Sequence, residues 1–354
     1  MKSQSKLKIS SLVGAMALAG AVTLPTMVMA DEPTNSFSVF LRMQAELVDA
    51  SGDIPEAAGN NGLNFGDGWV NGRSDAAGWG GLFIDGSVGI SEDLAAVGRY
   101  SMNIDMDGYN NVDRDVFIGL RSKSFGQVTV GRHHTPYKLS TLGWDPFNAT
   151  FMQARANQGR SGTAFGHNSF LNDSINYQHS FSGVRVAAMI GVDDSSDPVT
   201  GDNGGDHLFA FSVAAPVGPV ELVASYIDAS EYRGRADDST GVKLGARYSE
   251  GAFTLAGHYE MRDEGLEDGD FVFLTGSYKM GKWTHSVNFG QFMDDRDGRD
   301  NDGDYFAIGT RYSLGRIASI HLGYKRTERD IEGDDNVFGI GMRFGLNTGN
   351  LLAR

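Results

Sequence analysis

Apolar side chains recur at every second position in segment after segment of this chain. Val184, Val186, Ala188 and Ile190 alternate with Arg185, Ala187 and Met189. Phe253, Leu255, Gly257, Tyr259 and Met261 alternate with Thr254, Ala256, His258 and Glu260. Phe338, Ile340, Met342 and Phe344 alternate with Gly339, Gly341 and Arg343. A period of two sends successive side chains to opposite faces of a pleated strand. Such a chain needs one environment for an apolar face and another for a polar or small one.

The pattern predicts strands over 37–47, 78–90, 93–105, 115–122, 125–132, 173–179, 183–191, 206–216, 219–228, 240–249, 252–261, 270–280, 282–293, 303–313, 317–327 and 336–345. Sixteen is an even number, and the connections alternate in length. Lys123-Ser124, Val217-Gly218 and Glu250-Gly251 are short turns, while 48–77, 133–172 and 192–205 are long loops. Short turns on one rim and long loops on the other are the rhythm of a closed, all-β, antiparallel transmembrane barrel. Ten residues at a rise of ~3.4 Å and a tilt of ~45° span roughly 24 Å, close to the apolar band of such barrels. A soluble sandwich is the competing fold, but it has no need of aromatic residues near so many strand ends. Phe37, Tyr100, Phe125, Tyr177, Tyr226, Tyr248, Tyr259, Tyr278, Trp283, Tyr312, Tyr324 and Phe344 suit two interfacial belts instead.

Composition removes other classes. With no Cys there is no disulfide framework. After residue 30 no apolar run is long enough for a membrane helix. Aromatics at 10% and the long alternating segments argue against disorder. A net charge of −15 disfavours electrostatic binding of nucleic acid. Residues 1–30 read as a signal peptide: Lys2, Lys6 and Lys8 precede an apolar stretch from Leu12 to Leu24, and Val28-Met29-Ala30 is a cleavage site. The expected barrel domain is then 31–354, exported and cysteine-free.

Several segments resemble a family. Val116-Phe117-Ile118-Gly119-Leu120, followed by Phe125-Gly126-Gln127-Val128-Thr129-Val130-Gly131-Arg132, resembles a hairpin of the general porins of Gram-negative outer membranes. His133-His134-Thr135-Pro136-Tyr137 and Asp145-Pro146-Phe147 resemble the opening of their third loop. Asp173-Ser174-Ile175-Asn176-Tyr177 and Phe181-Ser182-Gly183-Val184-Arg185-Val186 resemble the next hairpin. The resemblance implies a sixteen-stranded, homotrimeric diffusion pore in the outer membrane. Its third loop, here 133–172, would fold into the lumen. The chain departs from the family in three places. Gly345 to Arg354 follow Phe344, where relatives end on a Phe; Gly81 and Leu171 stand where relatives often carry inward arginines.

The alternation places Arg42, Arg99, Arg114, Arg185, Arg247, Arg311, Lys325 and Arg343 on the lumenal face, since a mid-depth charge facing lipid would cost ~2–4 kcal/mol. Arg42, Arg99, Arg114 and Arg185, with Asp145, Arg155 and Arg160 of the third loop, are the expected pore-lining and constriction residues. The alternative is that these arginines pair with lumenal acids such as Glu46, Asp105 or Glu260. By resemblance Arg132 lies in the trimer contact; a snorkelling surface arginine is the alternative. The acidic run Asp294–Asp304 lacks the bidentate Glu of a calcium loop, so no metal site or cofactor is expected there. It reads as a hydrated mouth, with divalent ions beside lipopolysaccharide phosphates as a further partner. No catalytic constellation is evident, which points away from an enzyme. The expected function is passive diffusion of small hydrophilic solutes and ions with a weak cation preference. A solute-specific channel and a structural or adhesive barrel are the alternatives.

Overall fold

The computed structural model describes residues 35–53, 61–66, 80–104, 113–154, 170–192, 207–230, 239–263, 268–295, 298 and 301–347. The expected signal peptide, together with Asp105, Arg155, Arg160 and the last seven residues of the tail, lies outside the described residues.

The elements in chain order are β1 (Ser36–Ser51), β2 (Gly62–Gly66), β3 (Gly80–Gly89), β4 (Leu94–Ile104), β5 (Asp113–Ser122), β6 (Gly126–His134), α1 (Pro136–Leu142), β7 (Phe170–Phe181), β8 (Val184–Gly191), β9 (Leu208–Val217), β10 (Val220–Asp228), β11 (Thr240–Glu250), β12 (Phe253–Asp263), β13 (Gly269–Met280), β14 (Trp283–Asp294), β15 (Gly303–Ser313), β16 (Ala318–Arg329) and β17 (Gly333–Asn347). Every strand except β2 belongs to the wall, and each pairs antiparallel with its neighbours. β1 pairs with β17 over Phe40–Ser51 and with β3 over Ser36–Arg42, which closes a sixteen-stranded barrel.

The wall follows the sequence pattern, with four corrections. The first long loop contains β2, which pairs with Glu46–Ala50 of β1. The expected loop 328–335 shrinks to a turn at 330–332, because Arg329 already pairs with Gly333. His133 and His134 end β6 rather than open the third loop, and β7 starts at Phe170, so the loop is 135–169. β17 runs beyond Phe344 to Asn347, with Gly345 to Asn347 paired to Arg42–Phe40.

The two faces separate cleanly. Ile118, Leu120, Leu244, Leu255, Leu274, Phe289, Ile308, Phe338 and Ile340 point outward and are exposed, as an apolar belt in lipid requires. Their neighbours in the same strands point into the barrel. Aromatic pairs stand near the short-turn rim: Phe253 with Tyr278, ring centroids 4.6 Å apart, and Trp283 with Tyr312, 4.5 Å apart. At that rim the hairpins are tight. Ser182 and Gly183 both adopt positive φ (49° and 83°), a conformation that the twist of a two-residue hairpin favours. Asp93 braces the adjacent rim: its carboxylate accepts from Ser122 Oγ (2.6 Å) and from Ser124 N (3.2 Å). These bonds, the one from Ser122 foremost, hold its pKa below the ordinary value.

Candidate functional site

A barrel of this size leaves a lumen, so the site is whatever fills or lines it. The described third-loop residues, 135–154, lie inside. α1 begins where Thr135 caps the free N–H of Lys138 through its side chain (3.1 Å) and Pro136 opens the first turn. Gly143 ends it. From there the chain crosses the inner wall from β11 to β1.

Its large side chains sit where the wall has none. Tyr137 lies over Gly241 and Trp144 over Gly245, both on β11. Phe147 and Met152 lie over Gly309 of β15, Met152 also over Gly323 of β16, and Phe151 over Gly339 of β17. A Cβ at any of these glycines would come within about 3 Å of a loop side chain. Phe147, Phe151 and Met152 join Val48, Ala307 and Val337 in one buried cluster; Tyr137 joins Leu171, Met189, Ala210 and Ile227 in another. Inward glycines therefore act as sockets, and burial of the aromatic rings holds the loop against the wall.

Polar staples fix its register. Tyr137 Oη donates to Glu260 Oε1 (2.8 Å), and Glu260 lies 3.3 Å from Lys243 Nζ. Asp145 accepts from Phe147 N (2.8 Å), Ala154 N (2.8 Å) and Asn288 Nδ2 (2.7 Å). Glu46 of β1 accepts from Phe151 N (2.9 Å) and pairs with His321 of β16 (2.6 Å). Gln44 and Arg343 both donate to Ala149 O, at 2.5 and 3.0 Å. Ala149 has φ = 60°, unusual for a residue with a Cβ, and these two bonds hold it there.

The wall of β3–β6 differs. Its inward positions carry Asp85, Arg99, Asn103, Gln127, Thr129 and His133 in place of sockets. Arg99 grips Asp85 with two bonds, Nε–Oδ1 2.6 Å and Nη2–Oδ2 3.1 Å. Thr129 and Ser174 hold the two nitrogens of His133 at 2.9 and 2.8 Å. Phe83 lies against Gly81, on the spot where the sequence comparison expected an arginine.

The sequence-predicted residues divide as follows. Arg42 faces the lumen, its guanidinium 3.1 Å from Gln44 Oε1. Arg99 also lines the lumen. Arg114 has the same parity as outward Val116 and Ile118, yet it donates to Asn103 Oδ1 (2.7 Å) and lies over Phe83 and Phe170. A register shift between Tyr100 and Met102 accompanies this placement. Arg185 stands at the short-turn mouth, two residues beyond the 182–183 turn, bound to Glu221 (2.6 Å). It lines the exit and not the narrowing. Asp145 ties the loop together rather than presenting a free charge. Arg132 sits on the outer side, its Nη1 bonded to Asn172 Oδ1 (2.6 Å) and its guanidinium over Phe170. Leu171, the other expected gap, is buried in the Tyr137 cluster. Sequence reasoning missed Gln44 and His321. Both share the inward parity of Arg42 and Arg343, which was the signal available.

At the long-loop rim Asp295 stands among acids. Burial, and then the charges of Asp270, Asp268, Asp294 and Asp302, raise its pKa. Among the described residues no group of three His, Asp or Glu is arranged to hold a metal ion.

The profile of the Gram-negative porin family matches residues 14–332. No curated protein matches the chain in sequence. Solved structures do match it in shape. The anion-selective porin from Comamonas acidovorans superposes with a TM-score of 0.71 at 16% identity, covering 88% of this chain and 100% of that one. OmpF of Salmonella typhi, in complex with daunomycin, gives 0.67 at 13%, covering 88% and 98%. OmpT of Vibrio cholerae, in its trimer form, gives 0.62 at 16%, covering 88% and 100%.

Proposed function

The chain belongs to the Gram-negative porin family and is an outer-membrane channel; from that premise we propose that it is a homotrimeric, passive diffusion pore for small hydrophilic solutes and ions, weakly cation-preferring at low salt. The observation that carries this reading is the third loop, whose described residues dock across the inner wall and narrow the barrel. The channel acts by diffusion, without cofactor or catalysis, and reaches the membrane after cleavage behind Ala30.

Two features support the trimer. The outer face of β3–β6 carries Gly86 and Gly98, which with Val88, Ile118 and Val130 shape an apolar hollow of about 1020 Å³. Arg132 stands above it. A second copy of the wall would cover this face, and the Vibrio cholerae protein similar in shape is a trimer. Elsewhere on the outer face lipid takes over, with lipopolysaccharide at the long-loop rim. Divalent cations there would bridge its phosphates to the acidic residues.

The selectivity reading rests on charge placement. The eight expected long-loop segments hold 29 acidic and 10 basic residues. Most of the negative charge therefore lies at one mouth, where it concentrates cations. Screening acts on that mouth first, because the Debye length shrinks from ~8 Å at physiological salt to ~3 Å at 1 M. Single-channel recording in planar bilayers under a KCl gradient tests both parts. Open steps with a reversal potential on the cation side, shrinking as salt rises, are expected. Chloride preference at low salt would overturn the selectivity, and absence of steps would overturn the pore. Replacing 137–153 by a short glycine linker should enlarge the steps; unchanged steps would place the loop outside the conduction path.

A further inference from the structure

The outer wall carries two large hollows, and the charges at their short-turn ends differ in sign. The first, on β3–β6, has Glu92 and Asp93 in the turn at its foot. The second lies on the far side of the barrel, over β12–β16, and measures about 630 Å³. Its floor is Gly276 of β13, which has the outward parity of exposed Leu274 and Tyr278 but contributes no side chain. Gly276 pairs with Leu255 on one side and Val287 on the other, and Val287 pairs with Ile308, so apolar side chains wall the gap.

Polar tips gather at the short-turn end of this second hollow. Tyr278 and His285 pair across β13 and β14, and both line it. The His285 ring lies parallel to that of Trp283, centroids 6.3 Å apart and 6° between planes, and Trp283 packs on Tyr312. None of these four side chains has a hydrogen-bond partner among the described residues. Lys282, in the turn between β13 and β14, holds its ammonium 5.9 Å from the centre of the Tyr312 ring, which puts the charge on the outer face. Arg316 stands in the turn between β15 and β16, and Ser313 N donates to Lys282 O (2.9 Å), which brings the two turns side by side. Neither cation has a carboxylate partner among the described residues, and neither turn contains an acid. Glu250, in the turn between β11 and β12, is taken by Tyr248 Oη.

The short turns of such a barrel lie on the periplasmic side, so this cluster sits where headgroups of the inner leaflet meet hydrocarbon. A ligand that satisfies both halves of the site has an anionic head and a long apolar chain. The hollow is in the size range of pockets that hold a whole small ligand, ~300–1,000 Å³. We propose that this face binds one anionic phospholipid of the inner leaflet. Lys282, Arg316 and His285 hold its phosphate, and an acyl chain lies over Gly276 between Leu255, Val287 and Ile308. The hollow on β3–β6 does not suit the same lipid, because Glu92 and Asp93 would meet its phosphate; that face is left to the second copy. The site rests on the barrel's place in the membrane and on neither the trimer nor the selectivity reading.

Native mass spectrometry of the full chain in detergent tests it, with dioleoyl phosphatidylglycerol and dioleoyl phosphatidylethanolamine as probes. The two lipids share their chains and differ in net charge. One phosphatidylglycerol per chain should bind, about tenfold more tightly than phosphatidylethanolamine, whose own ammonium neutralises the phosphate. Lys282→Gln combined with Arg316→Gln should abolish the preference, while Lys123→Gln, in the turn between β5 and β6, should leave it. Gly276→Val, which fills the floor, should weaken both lipids alike. Equal binding of the two lipids by wild type would overturn the proposal and needs no variant. So would an unchanged preference in the double variant, or an equal loss in Lys123→Gln, which would make the preference a general property of rim charge.

Discussion

Two stretches of the inner wall share one alternation and use it differently. On β11 and β15–β17 the inward positions are often glycine, and aromatic or methionine side chains of the third loop fill them. On β3–β6 many inward positions are charged or polar, and these bond to each other along the wall. The first stretch trades size: what the strand leaves out the loop puts in. The second trades charge. A perturbation of the docked wall should therefore read out in stability and pore width, and one of the charged wall in selectivity.

The sharpest break of this contrast is at Glu46. Glu46→Ala removes the acceptor of Phe151 N and the partner of His321. Hydrogen bonds to charged groups are worth about 1.5–3 kcal/mol each, so the loop tip should loosen. Noisy, enlarged current steps and a lower thermal unfolding temperature are expected, with little change in reversal potential. A quiet, wild-type trace would show that the sockets hold the loop without the staple.

Next in size is Gly323→Leu. Filling that socket evicts Met152 and should cost roughly 1–3 kcal/mol as overpacking, measurable as earlier unfolding in detergent. If stability is unchanged, the seating of Met152 on glycine contributes nothing.

The charged wall should answer differently. Asp85→Asn leaves Arg99 without its counter-charge in a largely buried pair, but the amide oxygen can still accept from the guanidinium, so stability should fall by only about 1 kcal/mol. The reversal potential should move toward chloride. A shift toward cations, or a large loss of stability with no shift, would erase the distinction between the two walls.

The smallest effect belongs to the mouth. Asp295 has a raised pKa from burial and from its acidic neighbours. Raised in the folded state, it takes up a proton at a higher pH than an ordinary aspartate. Repulsion at the rim then falls, and stability rises, as pH drops through that value. Cation preference measured at falling pH should decline first by this route. Asp295→Asn should flatten that early part of the curve and leave the rest.

Much of the wall was legible in the sequence because strand parity and turn chemistry are local. The sixteen wall strands, the glycine turns and the inward face of Arg42 and Arg99 follow from period two. Depth is not local. Arg185 has the right parity and the wrong height, since nothing within β8 says how far from the rim it lies. Arg114 has the wrong parity, and a register shift against β4 accompanies its inward placement. Asp145 looked like a free lumenal charge because its three donors come from the loop's own fold and from β14, more than a hundred residues away. The inward glycines were visible, but their occupants were not, since a missing side chain does not name its filler.

The clamp on the loop tip joins distant parts of the chain. Residues 148–151 are held by Gln44 and Glu46 of the first strand and by Arg343 of the last, a separation of 195 residues between Arg343 and Asn148. Those two strands become neighbours only when the barrel closes. The order of assembly follows from that geometry. A nascent barrel whose ends have not met has only part of the seat for its third loop, so the narrowing is completed after the last strand docks. Loop-closure entropy makes such long-range contacts late as well as slow. Until that moment the growing pore is wider than the finished one, and a chain cut short before Arg343 would keep it so.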